Sequence, residues 1–225
     1  MSIPQHVSTV KKELEQILSA VVNDGIAIDQ NFPFVRQLSN NDWQVSFEGG
    51  ENISSVMNYE TYEQLYKELS QSRIYTAKLV DGGILQLMYS FRSNDLIKHR
   101  LAFYPSPTLR PFQEDPESYM QDQLYMEIVS RRLIPFPLRF DFDLETACDV
   151  EHPQCHLTLG DTKCCRIPVS APLTPRWFIE FILRNFYQTE NYNFVNNLPP
   201  YLFSFTETIT NRERELIHVI IPQLI

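Results

Sequence analysis

Glycine is scarce in this sequence of 225 residues: six in all, Gly25, Gly49, Gly50, Gly82, Gly83 and Gly160. No stretch has the glycine spacing that lets backbone amides wrap around a phosphate, so nucleotide-binding loops of the Walker and dinucleotide types are excluded. Cysteine is also sparse. The four thiols, Cys148, Cys155, Cys164 and Cys165, fall within 18 positions, and in a reducing compartment such a group reads as free thiols or metal ligands rather than disulfides. Long apolar runs are missing: none approaches the ~20 residues of a membrane span, and the N-terminal Met-Ser-Ile-Pro-Gln-His has no secretory or transit character. A cytoplasmic protein without a membrane partner is expected. Positive charge is in deficit, with 19 Lys+Arg against 28 Asp+Glu and a net charge of -9, which argues against a surface that is nucleic-acid footprint throughout.

What is present suffices for a core. Hydrophobic residues make up 43% and aromatics 12%, enough to fill one domain of this length. The charge is uneven. Residues 1–70 hold four basic and ten acidic side chains, a net of -6, whereas 91–110 hold Arg92, Lys98, Arg100 and Arg110 against Asp95, a net of +3. An acidic N-terminal part reads as a solvated or protein-facing surface, and a basic middle as a place for an anion.

Periodicity supplies the elements. Val10, Leu14, Ile17, Leu18, Val21 and Val22 recur at helical spacing, with Ser8 as the expected cap and Asn23-Asp24-Gly25 as the stop. Trp43–Phe47 alternate as a strand. Thr61-x-x-Gln64 opens a second helix with Tyr62, Leu65, Tyr66 and Leu69 on one face. From 73 to 104 the period is two, predicting a three-stranded antiparallel meander in which Leu85, Leu87, Tyr89 and Phe91 are buried while Gln86 and Ser90 look outward. Twelve of the fifteen prolines lie from Pro105 to Pro200 and punctuate the elements there. Asp115-Pro116-Glu117 predicts a helix start with Met120, Leu124 and Ile128 inward and Arg131-Arg132 at its end. In Phe136–Asp143, Leu138, Phe140 and Phe142 alternate with Arg139, Asp141 and Asp143. A hairpin around Asp161-Thr162-Lys163 sets Leu157 opposite Ile167, Leu159 opposite Cys165 and Thr158 opposite Arg166. Thr174-Pro175 starts a helix over 175–187. The fold predicted is a single α+β domain over 1–225, an antiparallel sheet with helices packed against it: an acidic, largely helical part (1–70), a core (73–187) and a docking tail (188–225).

The chemistry-bearing residues cluster. Arg139, Asp141, Asp143, His152, His156, Thr158 and Arg166 lie inside 28 positions. Carboxylates and imidazoles on one strand face can hold a divalent metal such as Mg²⁺ or Mn²⁺, or move protons on an anion steadied by arginines; the same residue types also make ordinary cross-strand salt bridges. Asp141, Asp143, His152 and His156 are the catalytic candidates, and Lys98, Arg100, Arg139 and Arg166 the nucleic-acid-binding ones. Asp141 or Asp143 with Asp161-x-Lys163 satisfies the letter of a metal-nuclease pattern, and the same three residues make a good turn. Zinc has suitable ligand types in the four cysteines with His152 and His156, but not the two spaced pairs of a structural site. No certain cofactor emerges.

Several stretches resemble the bacterial family called domain of unknown function 2290: Lys98-His99-Arg100-Leu101-Ala102-Phe103-Tyr104-Pro105, Leu138–Asp143, His152-Pro153-x-x-His156-Leu157, Cys165-Arg166-Ile167-Pro168-Val169 and the Phe178–Tyr187 helix. The resemblance covers roughly 73–187 and brings no catalytic assignment. It implies a bacterial protein encoded beside a helicase in a two-gene antiphage defence system; by analogy with other helicase-linked defence pairs, the expected role is a nuclease effector on DNA or RNA or else a non-catalytic adaptor that the helicase requires.

Overall fold

Two periodicities in the sequence, helical near the N-terminus and alternating in the middle, become layers of helix on sheet. The computed structural model describes residues 2–53, 61–107, 117, 120–129, 136–160 and 165–224. Among these, nine strands make one antiparallel sheet: β1 (Ala27–Gln30), β2 (Phe34–Gln37), β3 (Asp42–Ser46), β4 (Ala77–Leu79), β5 (Ile84–Arg92), β6 (Asp95–Tyr104), β7 (Leu138–Asp143), β8 (Cys155–Leu159) and β9 (Ile167–Pro168). The main order is β1-β4-β5-β6-β7-β8-β9, with β3 pairing β5 and β2 pairing β3. The α-helices are α1 (Gln5–Asn23), α2 (Tyr62–Gln71), α3 (Gln123–Val129), α4 (Pro175–Ile182) and α5 (Asn211–Arg214). The architecture is α+β.

Helix α1 buries Val7, Val10, Leu14, Ile17, Leu18 and Val21. Its start differs from expectation: the helix begins at Gln5 after Pro4, and the Ser8 N–H already donates to the Pro4 carbonyl at 3.0 Å. Pro4 has no N–H to satisfy and an extended backbone, so it serves the start that Ser8 was expected to make. Gly25, at φ +73°, ends the helix where predicted. Helix α4 is capped by Thr174, whose hydroxyl accepts the Trp177 N–H, and its last stretch widens into a π turn over Leu183–Tyr187. Phe178, Ile179 and Ile182 join α1's stripe against Leu85, Leu87, Tyr89, Phe91, Leu101, Phe103, Phe140 and Leu157 from the sheet.

The second face of the sheet carries a smaller cluster. Helix α2, capped by Thr61 as predicted, contributes Leu69 with Tyr62, Leu65 and Tyr66 against Phe47, Ile84, Ala102 and Tyr104. Gln86 therefore does not look into solvent. It is fully buried, and its side-chain amide donates to the Ile74 carbonyl at 2.7 Å. Of the expected stripe on α3 and the residues before it, Ile128 is buried and Leu124 partly so, whereas Met120 is exposed. Asp115, Pro116, Arg131, Arg132 and the Asp161-Thr162-Lys163 turn lie outside the described residues.

The chain's last part docks on the sheet. Val219 bridges to Val169, Ile221 is buried, and the Ile221 N–H donates to the Ser170 hydroxyl at 2.8 Å.

Candidate functional site

Strand alternation and antiparallel register together decide where the charged side chains of β6–β8 go. Leu101, Phe140 and Leu157 are neighbours across the three strands and point into the main core; one step along each strand, Arg100, Asp141 and His156 are neighbours on the opposite face. On the same face Lys98 lies opposite Asp143, and Arg139 opposite Thr158. Of the predicted β8–β9 pairs the register holds Leu157 opposite Ile167; β9 begins there, so Thr158 with Arg166 and Leu159 with Cys165 are not paired within the sheet. Helix α2 and its cluster cover this face over Ile84, Ala102 and Tyr104, and the charged residues lie beyond them.

All eight candidate residues line one cleft of about 310 Å³ there: Lys98, Arg100, Arg139, Asp141, Asp143, His152, His156 and Arg166. Lys98 pairs with Asp143 at 2.8 Å and Arg139 with Asp141 at 3.0 Å. Arg100 donates to the Tyr104 hydroxyl at 3.1 Å. Among the described residues Arg166 makes no ion pair, and its guanidinium reaches the Glu151 carbonyl at 3.4 Å. Partial burial works against the Asp143 carboxylate, but Lys98 and the N–H groups of Glu145 and Thr146 outweigh it and hold the carboxyl below its ordinary value.

The two imidazoles are in contact, with ring centroids 5.0 Å apart and planes at 56°. His156 is buried in β8 and its Nδ1 meets the Pro153 carbonyl at 2.9 Å; His152 is half-buried and its Nδ1 meets the Thr146 carbonyl at 2.8 Å. A carbonyl only accepts, so each Nδ1 carries the hydrogen and donates it, and each neutral ring keeps its Nε2 lone pair. Burial pushes the His156 imidazole below its ordinary value; Pro153 and Asp141 oppose the shift, while His152 and Arg166 add to it.

His152 reaches the cleft on a tight loop. Cys148 and His152 exchange both backbone hydrogen bonds, at 2.8 and 2.7 Å, and Val150 between them takes the left-handed φ of +72°. Helix α5 braces that loop: Glu213 accepts the Val150 N–H at 3.3 Å, and Asp149 accepts from the Thr210 hydroxyl at 2.6 Å and pairs with Arg212 at 3.0 Å. Sequence reasoning missed this bracing, whose only linear sign is the Thr210-x-x-Glu213 capping box.

Among the described residues a metal centre does not assemble. Among the described residues no three His, Cys, Asp or Glu side chains are grouped to hold an ion, and Asp141 and Asp143 are each committed to a cation. Cys155 is buried on the core side and Cys148 is exposed; Cys164 and Asp161 lie outside the described residues. The donor set among the described residues does not fit a resident Mg²⁺, Mn²⁺ or Zn²⁺.

A family model described as an uncharacterized conserved protein (DUF2290) matches residues 26–221. The chain belongs to this family. The match takes in all nine strands, from β1 to β9, and every residue of the cleft, so the site is part of the family's own domain. No curated protein and no solved structure matches the chain. Among the described residues no helix is long and apolar enough to cross a membrane.

Proposed function

We propose that the cleft binds the sugar-phosphate backbone of a nucleic acid, and that the protein works beside a partner helicase in bacterial defence against phage. One observation carries the first half: in a chain of net charge -9, four cationic side chains and two carboxylates surround two imidazoles in one cleft. Fixed cations on an otherwise acidic molecule select an anion by position, and a row of them across β6, β7 and the segment before β9 suits a polyanion better than a single phosphate. The two carboxylates hold Lys98 and Arg139 in place. The helicase half rests on what the family resemblance implies, and the scarcity of glycine agrees with leaving ATP-driven work to another protein.

A second reading, a non-catalytic subunit docked on the helicase through the acidic N-terminal part, is favoured by Ile28, Phe32 and Leu38, large apolar side chains exposed on and beside β1 and β2.

Fluorescence anisotropy with labelled single-stranded and duplex DNA and RNA across a salt series tests the binding site. Arg166→Ala and Lys98→Ala are each expected to weaken binding by about 5- to 10-fold and to lower the salt slope by about one. Binding that is absent, or indifferent to both substitutions, sinks the proposal in favour of the docking reading.

A further inference from the structure

The paired imidazoles do more than accept an anion. Each Nδ1–H is spent on a backbone carbonyl, at 2.9 Å for His156 and 2.8 Å for His152, which fixes both rings and leaves both Nε2 atoms for chemistry. With ring centroids 5.0 Å apart, a proton on one ring opposes a proton on the other, so the pair passes through a state holding one proton. That state supplies a base and an acid side by side, close enough to act on one phosphodiester. The rings differ in setting: His156 lies in the sheet among Asp141 and Thr158, where burial disfavours a charge on the ring, and His152 stands on the loop toward solvent.

We infer that the cleft cleaves RNA by transesterification without a metal, His156 acting as base and His152 as acid. The inference rests on the cleft being a nucleic-acid site. A reaction that has only imidazoles to work with needs a nucleophile already beside phosphorus, and a ribose 2′-hydroxyl is one; DNA lacks it. The His156 Nε2 takes the 2′-hydroxyl proton as the 2′-oxygen bonds to phosphorus. The bond from phosphorus to the 5′-oxygen breaks, and the His152 Nε2–H delivers its proton to that oxygen. The products are a 2′,3′-cyclic phosphate and a 5′-hydroxyl, nothing is oxidised or reduced, and solvent returns the proton from His156 to His152. Arg166, with Arg139 and Arg100 behind it, faces the charge that builds on the phosphorane.

Among the described residues the charged groups facing the pair are Asp141, Asp143 and Arg139 from β7, Lys98 and Arg100 from β6, and Arg166. A bell-shaped rate profile is expected, because the reaction needs one ring protonated and the other not.

The full-length protein is incubated in EDTA with end-labelled single-stranded RNA, the same sequence as DNA, and a fully 2′-O-methylated RNA, while anisotropy reports binding to each. RNA fragments ending in a cyclic phosphate, with the other two strands bound and intact, are the expected result. His152→Asn and His156→Asn keep a side-chain N–H for the carbonyl and remove the second nitrogen; each is expected to lower the rate by about 100-fold or more at unchanged RNA affinity and melting temperature. RNA that is bound but not cut, cleavage that needs added Mg²⁺, cleavage of the DNA or methylated strand, or full activity in both variants overturns the inference and leaves the binding proposal standing. Absence of binding overturns both.

Discussion

Asp141 is the residue on which the cleft's electrostatics turn. It faces Arg100 on one neighbouring strand and His156 on the other, and accepts from the Arg139 Nε at 3.0 Å. Its position was legible: Leu138, Phe140 and Phe142 alternate with Arg139, Asp141 and Asp143, so three charges had to share a strand face. What alternation could not disclose is which cation each carboxylate holds, since that depends on rotamers. If the cleft binds a polyanion, Asp141→Asn removes a repulsive charge and frees Arg139, and nucleic-acid affinity at low salt is expected to rise about threefold. Titrating labelled single strands with the variant checks this; weaker binding would give Asp141 a direct part in holding the ligand. The pair is only partly buried and lines an open cleft, so folding stability should move by no more than about 1 kcal/mol.

At the level of elements, strands with a clear alternation were readable even where the partner is distant, as in β3 and β7, and β1 and β2 were not. The meander has short turns that fix register, and the pairing of Leu157 with Ile167 followed from matching the apolar positions of the two segments. β1 and β2 are four residues each, too short for a clear period, and β1 finds its partner, β4, about 50 positions later. Gln86 was assigned to solvent for a related reason: alternation names two faces, but only the distant helix α2 decides that both are covered. The turn before β5 has a sharp local requirement. Gly82 sits at φ +86°, and a Cβ on Gly83 would stand 2.5 Å from the Tyr187 hydroxyl and 2.9 Å from the Phe103 ring, both buried. Gly83→Ala is expected to destabilise the fold by about 1–3 kcal/mol through this overpacking, measurable by urea unfolding; a loss under about 0.5 kcal/mol would mean that Tyr187 moves aside freely. The 148–152 loop depends on α5 in a comparable way. Glu213→Ala removes half of the capping box and the acceptor for the Val150 N–H, so a loss of about 1–2 kcal/mol is expected, with faster amide exchange at Val150 as the local sign.

Across the whole molecule, two buried ionisable groups on the core side of the sheet pull stability in opposite directions with pH. His99 of β6 is buried and its Nε2 accepts the Leu173 N–H at 3.2 Å; burial pushes its imidazole down to about 4. The unfolded chain takes up a proton here below about pH 6.5 that the folded chain refuses, so this group contributes stability that is present above that pH and is lost as pH falls toward 4. Glu13 of α1 accepts the Arg176 N–H at 3.2 Å, and burial pushes its carboxyl up to about 7. Here the folded chain keeps a proton that the unfolded chain releases, so stability is lost as pH rises from 4.5 toward 7. Each effect amounts to about 3 kcal/mol at its limit. His156 adds to the first side and Asp81, raised by burial, to the second. Glu13 interrupts the stripe of Val10, Leu14 and Ile17, which is the one sign in the sequence that a carboxyl is buried; nothing local marks His99, whose partner lies 74 residues away. Glu13→Gln deletes the falling slope and leaves the rising one. Its unfolding free energy should therefore climb from pH 4.5 to 6.5 more steeply than that of the parent and exceed the parent's by up to about 3 kcal/mol at pH 7. Denaturant melts at pH 4.5, 5.5, 6.5 and 7.5 decide the matter: curves that stay parallel for the two proteins would show that Glu13 is ionised in the fold at neutral pH, with its charge met by the Thr174 and Arg176 groups around it.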